Sequence, residues 1–366
     1  MLLVESDGKA LFRQYGIAVP AGEVVRDAGW AGDGPRVVKA QVTVGGRGKA
    51  GGVALCRDGA ETRAALGRIL GGSIKGHVVH ACLVEAPASG RECYLSLLLD
   101  AGAGAVRVTF IAEGGVEVES QALSETTSRL CAPDAASIGA ALAALTEDAA
   151  VRDVGAKLAR LFLAEELMLA EVNPLFVGAA GAVAGDAKVV LDGNALHRQP
   201  GQEKLLRDNA VLYPDALRKL DEGFDYVELD AKGSIGLITT GAGLSMMLVD
   251  ELMARGASPI NFLDIRTGQL RGSPARLIRV LEWLAEHASL KVLFVNIFAG
   301  ITDQREFAKL LVEALAAQPA RGVPVVARLV GNGSEDARAW LAEARPDIAI
   351  FEDLEGAIGR VAELSA

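Results

Sequence analysis

The chain has 366 residues, enough for two or three domains with a well-covered core. A formal charge of −10 excludes a generally basic surface for nucleic acid or an anionic membrane, leaving only local basic pockets. With 51% hydrophobic residues, 5% aromatic residues and 42 glycines, the interior must be built from Ala, Val, Leu and Ile, as in α/β proteins.

Cys56, Cys82, Cys93 and Cys131 have neither C-x-x-C spacing nor a paired histidine motif, so they read as small reduced core residues. The start, Met1 to Asp7, becomes charged at once and lacks the long apolar run of a signal peptide. No segment approaches about 18 uninterrupted apolar residues, so a cytoplasmic protein without a membrane span is expected.

In chain order, Ser6 is expected to cap a short helix carrying Leu11, Phe12 and Tyr15, stopped by a left-handed Gly16. Arg36–Val42 reads as a strand, and Gly45–Gly52 as a glycine-rich loop after it. Further strands are predicted at Val78–Glu85, Tyr94–Leu99, Val106–Ile111 and Met168–Glu171, with a helix over Val151–Glu165. From Ser234 onward the pattern becomes regular. Apolar strands at Ile235–Thr239, Ile260–Leu263, Val292–Ile297, Val323–Leu329 and Ile348–Phe351 alternate with helical stretches, which predicts a doubly wound parallel sheet. The charge-rich segment Gln202–Leu229 separates the two regimes and places the domain boundary near Asp225.

The run Val37-Val38-Lys39-Ala40-Gln41-Val42 followed by Gly45-Gly46-Arg47-Gly48-Lys49-Ala50-Gly51-Gly52 resembles the nucleotide-binding opening of succinyl-CoA synthetase β subunits. In family order come Val84-Glu85-Ala86, Arg91-Glu92-Cys93-Tyr94-Leu95, the Glu113–Glu119 segment, Glu171-Val172-Asn173-Pro174-Leu175 and Asp186-Ala187-Lys188. Asp192–Leu196, Gly241-Ala242-Gly243-Leu244, Asn261-Phe262-Leu263-Asp264 and Val295–Ile301 complete the series. The resemblance spans nearly the whole chain and also fits the β subunits of malate–CoA ligase. It implies an ATP-grasp domain over residues 1–225 and a flavodoxin-like CoA-ligase domain over 226–366.

Glycines let backbone N–H groups approach phosphate, so Gly46 and Gly48 suit ATP or ADP, with Lys39 and Arg47 supplying cations. A mobile basic surface loop is the alternative for such a loop taken alone. Glu85 and Glu92 match two acidic positions that the family uses at the nucleotide, against the alternative of solvated loop charges. Asn173 and Asp186 match its Mg²⁺ ligands and are hard oxygen donors, although an Asn before Pro174 also suits a turn.

Glu171 matches the glutamate that faces a phosphorylated histidine swung in by the partner subunit. None of His77, His80, His197 and His287 suits that carrier role, so the resemblance implies a separate α subunit holding the phosphohistidine and most of the CoA site, in an αβ or α2β2 heteromer. The implied reaction forms a CoA thioester of a small dicarboxylic acid, succinate or a relative such as malate, with ATP converted to ADP and phosphate. Pro20 matches members that favour adenine over guanine nucleotides.

The chain departs from the pattern after Asp264, where the family's glycine triplet is replaced by Ile265-Arg266-Thr267-Gly268-Gln269-Leu270-Arg271-Gly272. A helix start still follows at Ser273-Pro274, with Leu277, Leu281 and Leu284 on one face. Arg266 and Arg271 are candidates to replace part of the anion stabilisation, the alternative being an exposed loop without phosphate contact. Thr240 stands where succinate-using relatives carry asparagine, and with Gly300, Ile301 and Thr302 it falls at the family's substrate positions. Competing readings are a self-contained ATP-grasp carboxylate–amine ligase, a non-catalytic nucleotide-binding subunit, and a dinucleotide oxidoreductase. The last is disfavoured because Met246 occupies the third glycine position of the fingerprint.

Overall fold

The computed structural model describes residues 1–113, 124 and 126–366; most of the Glu113–Glu119 segment therefore lies outside the described residues. The chain divides into two compact units, Met1–Tyr213 and Pro214–Ala366. The division precedes Asp225 because the strand Asp225–Glu228 pairs with Asn261–Asp264, which ties the preceding helix Pro214–Glu222 to the second unit. No helix among the described residues is long and apolar enough to cross a membrane.

In the first unit, a four-stranded antiparallel sheet has the order Gly22–Val25, Cys82–Glu85, Arg36–Ala40, Val53–Cys56. The predicted strand Val78–Glu85 is split: His77–Val78 forms a small hairpin with Ser73–Ile74, and only Cys82–Glu85 joins the sheet. A second antiparallel sheet is centred on Leu167–Gly178, which pairs with Arg91–Asp100 on one side and with Gly181–Ala184 and Lys188–Leu191 on the other. That strand runs well past the predicted Met168–Glu171, accommodating Pro174 at a register shift between Val172 and Leu175.

The first helix spans Glu5–Gln14 and is preceded by Val4, without a side-chain cap. Ser6 lies inside it rather than capping it, because its N–H donates to Gln41 Oε1 at 2.8 Å. Gly16 adopts the expected left-handed stop, with φ of 76°. The Leu3 N–H to Val189 O bond, 2.9 Å, fixes the helix start beside the Lys188–Leu191 strand. A Cβ on Gly8 would lie 3.2 Å from Ala187 Cβ, so a glycine lets the helix come this close.

The second unit carries a parallel sheet in the order Ile235–Thr239, Val292–Ala299, Val325–Gly331, Ala349–Phe351. Its strands are apolar on both faces because both faces are covered. Ile238, Leu293, Val295 and Leu329 pack with helices Ala275–Ala285 and Gln304–Ala317, while Leu237, Val292, Phe294 and Val326 pack with Ala242–Ala254 and Leu354–Ser365. This is the expected doubly wound arrangement, with one difference. The Asn261–Asp264 strand pairs antiparallel with Asp225–Glu228, while the buried Asn261 amide bonds both backbone groups of Leu237, accepting at 2.8 Å and donating at 3.0 Å. Backbone bonds join the Ile235–Thr239 and Asn261–Asp264 segments at their ends, Ile260 N–H to Ile235 O at 2.8 Å and Ile265 N–H to Thr239 O at 3.0 Å, and between these the Asn261 side chain takes the place of ladder hydrogen bonds.

Candidate functional site

Gly185 and Asp186 lie in the short gap between the Gly181–Ala184 and Lys188–Leu191 strands. Gly185 N–H donates to Pro174 O at 2.8 Å, and Glu171 stands opposite Lys188 in the ladder. Following the two strands from that pair brings Asn173 and Asp186 alongside each other, so the two predicted metal ligands share one edge.

Around this edge three cations and three carboxylates meet. Lys39 Nζ lies 2.8 Å from Glu5 Oε1, 2.7 Å from Glu85 Oε1 and 2.7 Å from Gly185 O. Arg47 bonds both Asp186 oxygens, at 3.1 and 3.0 Å, and donates to Ala40 O at 3.1 Å. Its Nη2 also lies 2.8 Å from Glu5 Oε2, close enough for charge attraction, although that oxygen has no aligned hydrogen-bond donor. Lys9 Nζ completes the group, 2.7 Å from Glu5 Oε1, 2.6 Å from Glu85 Oε2 and 2.8 Å from Gly185 O.

Burial works against the Glu5 charge, but Arg47, Lys39 and Lys9 outweigh it and hold this carboxyl far below the usual range. Burial likewise disfavours the Lys39 charge, yet Glu5, Asp186 and Glu85 raise its pKa above the ordinary lysine value. Asp186 shifts opposite to Glu5. Burial and the Glu5 charge raise its pKa despite Arg47, Lys39 and Lys9, leaving a carboxylate that an added cation would stabilise.

The glycine loop folds back on itself through Ala50 N–H to Gly46 O, 3.3 Å, and Gly51 N–H to Gly48 O, 3.1 Å. Among the described residues no acceptor meets the N–H groups of Gly46, Arg47 and Gly48, so these donors are available to an anion. Lys75 Nζ reaches Gly45 O at 2.7 Å from the adjoining hairpin.

The structure brings Lys39, Arg47, Glu85 and Asp186 into one cluster but leaves Glu92 outside it, exposed on its strand opposite Phe176. Glu171 accepts from Tyr94 Oη at 3.0 Å and lies 3.8 Å from Lys188 Nζ. Sequence reading missed Glu5, Lys9 and Lys75. A Glu–Lys pair four apart on a short helix ordinarily signals a solvated ion pair, and only the distant Gly185 and Glu85 segments bury it.

In the second unit the substrate candidates gather at the carboxyl ends of the parallel strands, where ligands of open α/β sheets bind. Thr240 Oγ1 accepts from Thr267 N–H at 3.4 Å, and the hydroxyls of Thr267 and Thr302 are 2.8 Å apart. Gly300 and Ile301 are exposed beside them, Ile301 almost fully. Asp264 accepts from the N–H groups of Gly241, 2.8 Å, and Arg266, 3.2 Å.

The departing loop is strained. Arg266 and Arg271 have φ of 55° and 50°, a region that glycine occupies more readily. The Arg266 guanidinium bonds Asp225 at 2.9 Å, whereas Arg271 is exposed and makes no hydrogen bond or ion pair among the described residues. The two arginines therefore stand in different environments. The helix after the loop begins at Ala275, with Leu277, Leu281 and Leu284 buried as expected.

An ATP-grasp domain matches residues 2–132, and a CoA-ligase domain matches residues 238–357. The β subunit of an ADP-forming succinate–CoA ligase from Chloroflexus aurantiacus is 37% identical, over 94% of each chain. A β subunit of the same description from Streptomyces coelicolor, numbered 2, is 37% identical over 100% of this chain and 97% of its own. The chain belongs to the succinate–CoA ligase β-subunit family. The fold likeness extends to an ATP citrate lyase from Methanothrix soehngenii, solved with citrate and coenzyme A, at a TM-score of 0.71 and 19% identity over 99% of both chains. Within that family frame, the first unit carries the ATP-grasp match and the second the CoA-ligase match.

Proposed function

We propose that this chain is the nucleotide-binding subunit of an ADP-forming acid–CoA ligase, binding Mg-ATP in its first unit and the acid at the strand ends of its second. The observation that carries this is the meeting of Lys39, Arg47, Glu85 and Asp186 beside a glycine loop with open N–H donors. A triphosphate needs such a set: cations within reach, backbone donors and a carboxylate able to share a divalent ion.

Mg²⁺ would be held by Asn173 and Asp186 and would neutralise phosphate charge. Both supply hard oxygen, and the Asp186 side chain remains 32% exposed beyond its Arg47 contact, which leaves room for a further cation. Glu171, held by Tyr94, is assigned to orient a histidine of a partner α subunit, which also carries most of the CoA site, as an αβ or α2β2 heteromer. Thr240, Gly300, Ile301 and Thr302 are assigned to the acid, a small dicarboxylate such as succinate or malate, with Arg271 offering the uncommitted cation and Arg266 shaping the loop.

The test is reconstitution of the chain with an α subunit of this ligase family, followed over a dicarboxylate panel. Sustained ADP release should require acid, CoA and both subunits, while ATP alone should leave labelled γ-phosphate on the α subunit with a single turnover of ADP. ATP turnover by the single chain with an amine acceptor would instead establish a self-contained ligase.

A further inference from the structure

Lys39 reaches one buried set of oxygens, Glu5 Oε1, the Glu85 carboxylate and Gly185 O, and Lys9 reaches the same set. The two ammonium groups differ in access. The Lys9 side chain is 0% exposed and Lys39 is 12% exposed, while Glu5 and Glu85 are 0% and 2% exposed.

An ammonium group has three N–H donors, and three acceptors already surround Lys39 at 2.7 to 2.8 Å. For Lys39 to bind a phosphate oxygen, at least one of these contacts must be given up. If Lys39 were the sole cation there, its departure would leave two carboxylates buried without a counter-charge, a strongly unfavourable state. We infer that Lys9 is a positioning residue that keeps Glu5 and Glu85 neutralised while Lys39 exchanges from carboxylate to nucleotide phosphate.

Lys9 sits one helical turn after Glu5, so one rigid helix presents both the anion and its resident cation. Arg47 remains paired with Asp186 and near Glu5 Oε2, which places its charge on the far side of the Glu5 carboxylate from the two lysines. Lys9 thus has no need to touch nucleotide. Its effect is transmitted through the strength with which Glu5 and Glu85 retain Lys39.

This inference rests on the assignment of Lys39 to nucleotide phosphate, and one titration series separates the two. Dissociation constants of the full chain for ATP, ADP and adenosine, with Mg²⁺ present, are measured by calorimetry for wild type, Lys9→Met and Lys9→Arg. Wild type should bind ATP more tightly than adenosine; equal affinity would remove the phosphate assignment and this inference with it. Lys9→Met should weaken ATP and ADP about tenfold. Adenosine should be unaffected, and Lys9→Arg should recover most of the loss. A folded Lys9→Met protein with ATP affinity unchanged, or with all three ligands weakened equally, overturns the inference while leaving the nucleotide site standing. Should Lys9→Met lack a native melt, Glu5→Gln with Lys9→Met removes one anion and one cation together. Measured against Glu5→Gln alone, it should still lose ATP affinity about fivefold, and equal affinities would overturn the inference.

Discussion

Replacing Asn261 with alanine tests how much one side chain contributes to joining the Ile235–Thr239 and Asn261–Asp264 strands of the second unit. Its amide accepts from Leu237 N–H at 2.8 Å and donates to Leu237 O at 3.0 Å, and both residues are 0% exposed. Alanine leaves two buried backbone groups without partners, each costing about 1–3 kcal/mol. Local relaxation and entry of water reduce the sum, so the expected loss is about 3 kcal/mol. Trp283 and Trp340 belong to this unit and Trp30 to the other, so tryptophan fluorescence during urea unfolding weights the relevant transition. The midpoint should fall with the m-value unchanged, as expected when stability alone changes. A loss below about 1 kcal/mol would show that the Leu237 groups find other partners and would refute the proposed bridging role.

Lys39→Met should raise the KM for ATP at least about tenfold in the reconstituted enzyme, with little change in the KM for the acid. Asp225→Asn should reproduce the effect of Arg266→Ala on acid turnover, and the double variant should add nothing, since Arg266 is fixed through Asp225; additive losses would assign Arg266 a separate contact. Thr267→Val removes the hydroxyl beside Thr302 and should change the KM for the acid while leaving that for ATP alone; steady-state kinetics with each substrate varied decides. Glu5, with its folded pKa depressed, contributes stability above the ordinary carboxylate pKa that is lost as pH falls through the lower folded value. Unfolding free energies of wild type and Glu5→Gln should therefore converge on acidification, and a constant difference down to pH 3 would contradict the depressed pKa. Asp186, with its pKa raised, acts oppositely, favouring the folded state as pH falls through its own folded value.

The parallel sheet was legible because strands covered on both faces carry continuous apolar runs, as Ile235–Ile238 and Val292–Val295 do. Asn261 was not legible as a strand connector. An asparagine at a strand start gives no sign that its amide replaces ladder bonds two dozen residues away. Lys39 and Arg47 stood out as charges next to apolar strand and glycine loop, and the structure brings them together with Glu85 and Asp186. Glu5 and Lys9 did not, since their burial comes from segments remote in sequence. The strand through Pro174 was cut short for a related reason: a proline argues against a sheet interior unless a bulge absorbs it, and the register shift at that point does so.

The position of Asp186 carries a constraint on chain length. Its segment is an open span between two short strands that are each registered against the same long one, through Leu175 opposite Ala184 and Glu171 opposite Lys188. Both ends are fixed, and side chains along a strand alternate between faces. One inserted or deleted residue between Ala184 and Lys188 would have to bulge out or turn Asp186 away from Arg47 and Asn173. This span should therefore resist changes of length far more than the exposed turn at Ala179–Ala180, and homologous chains should vary in length at the turn while keeping the span constant.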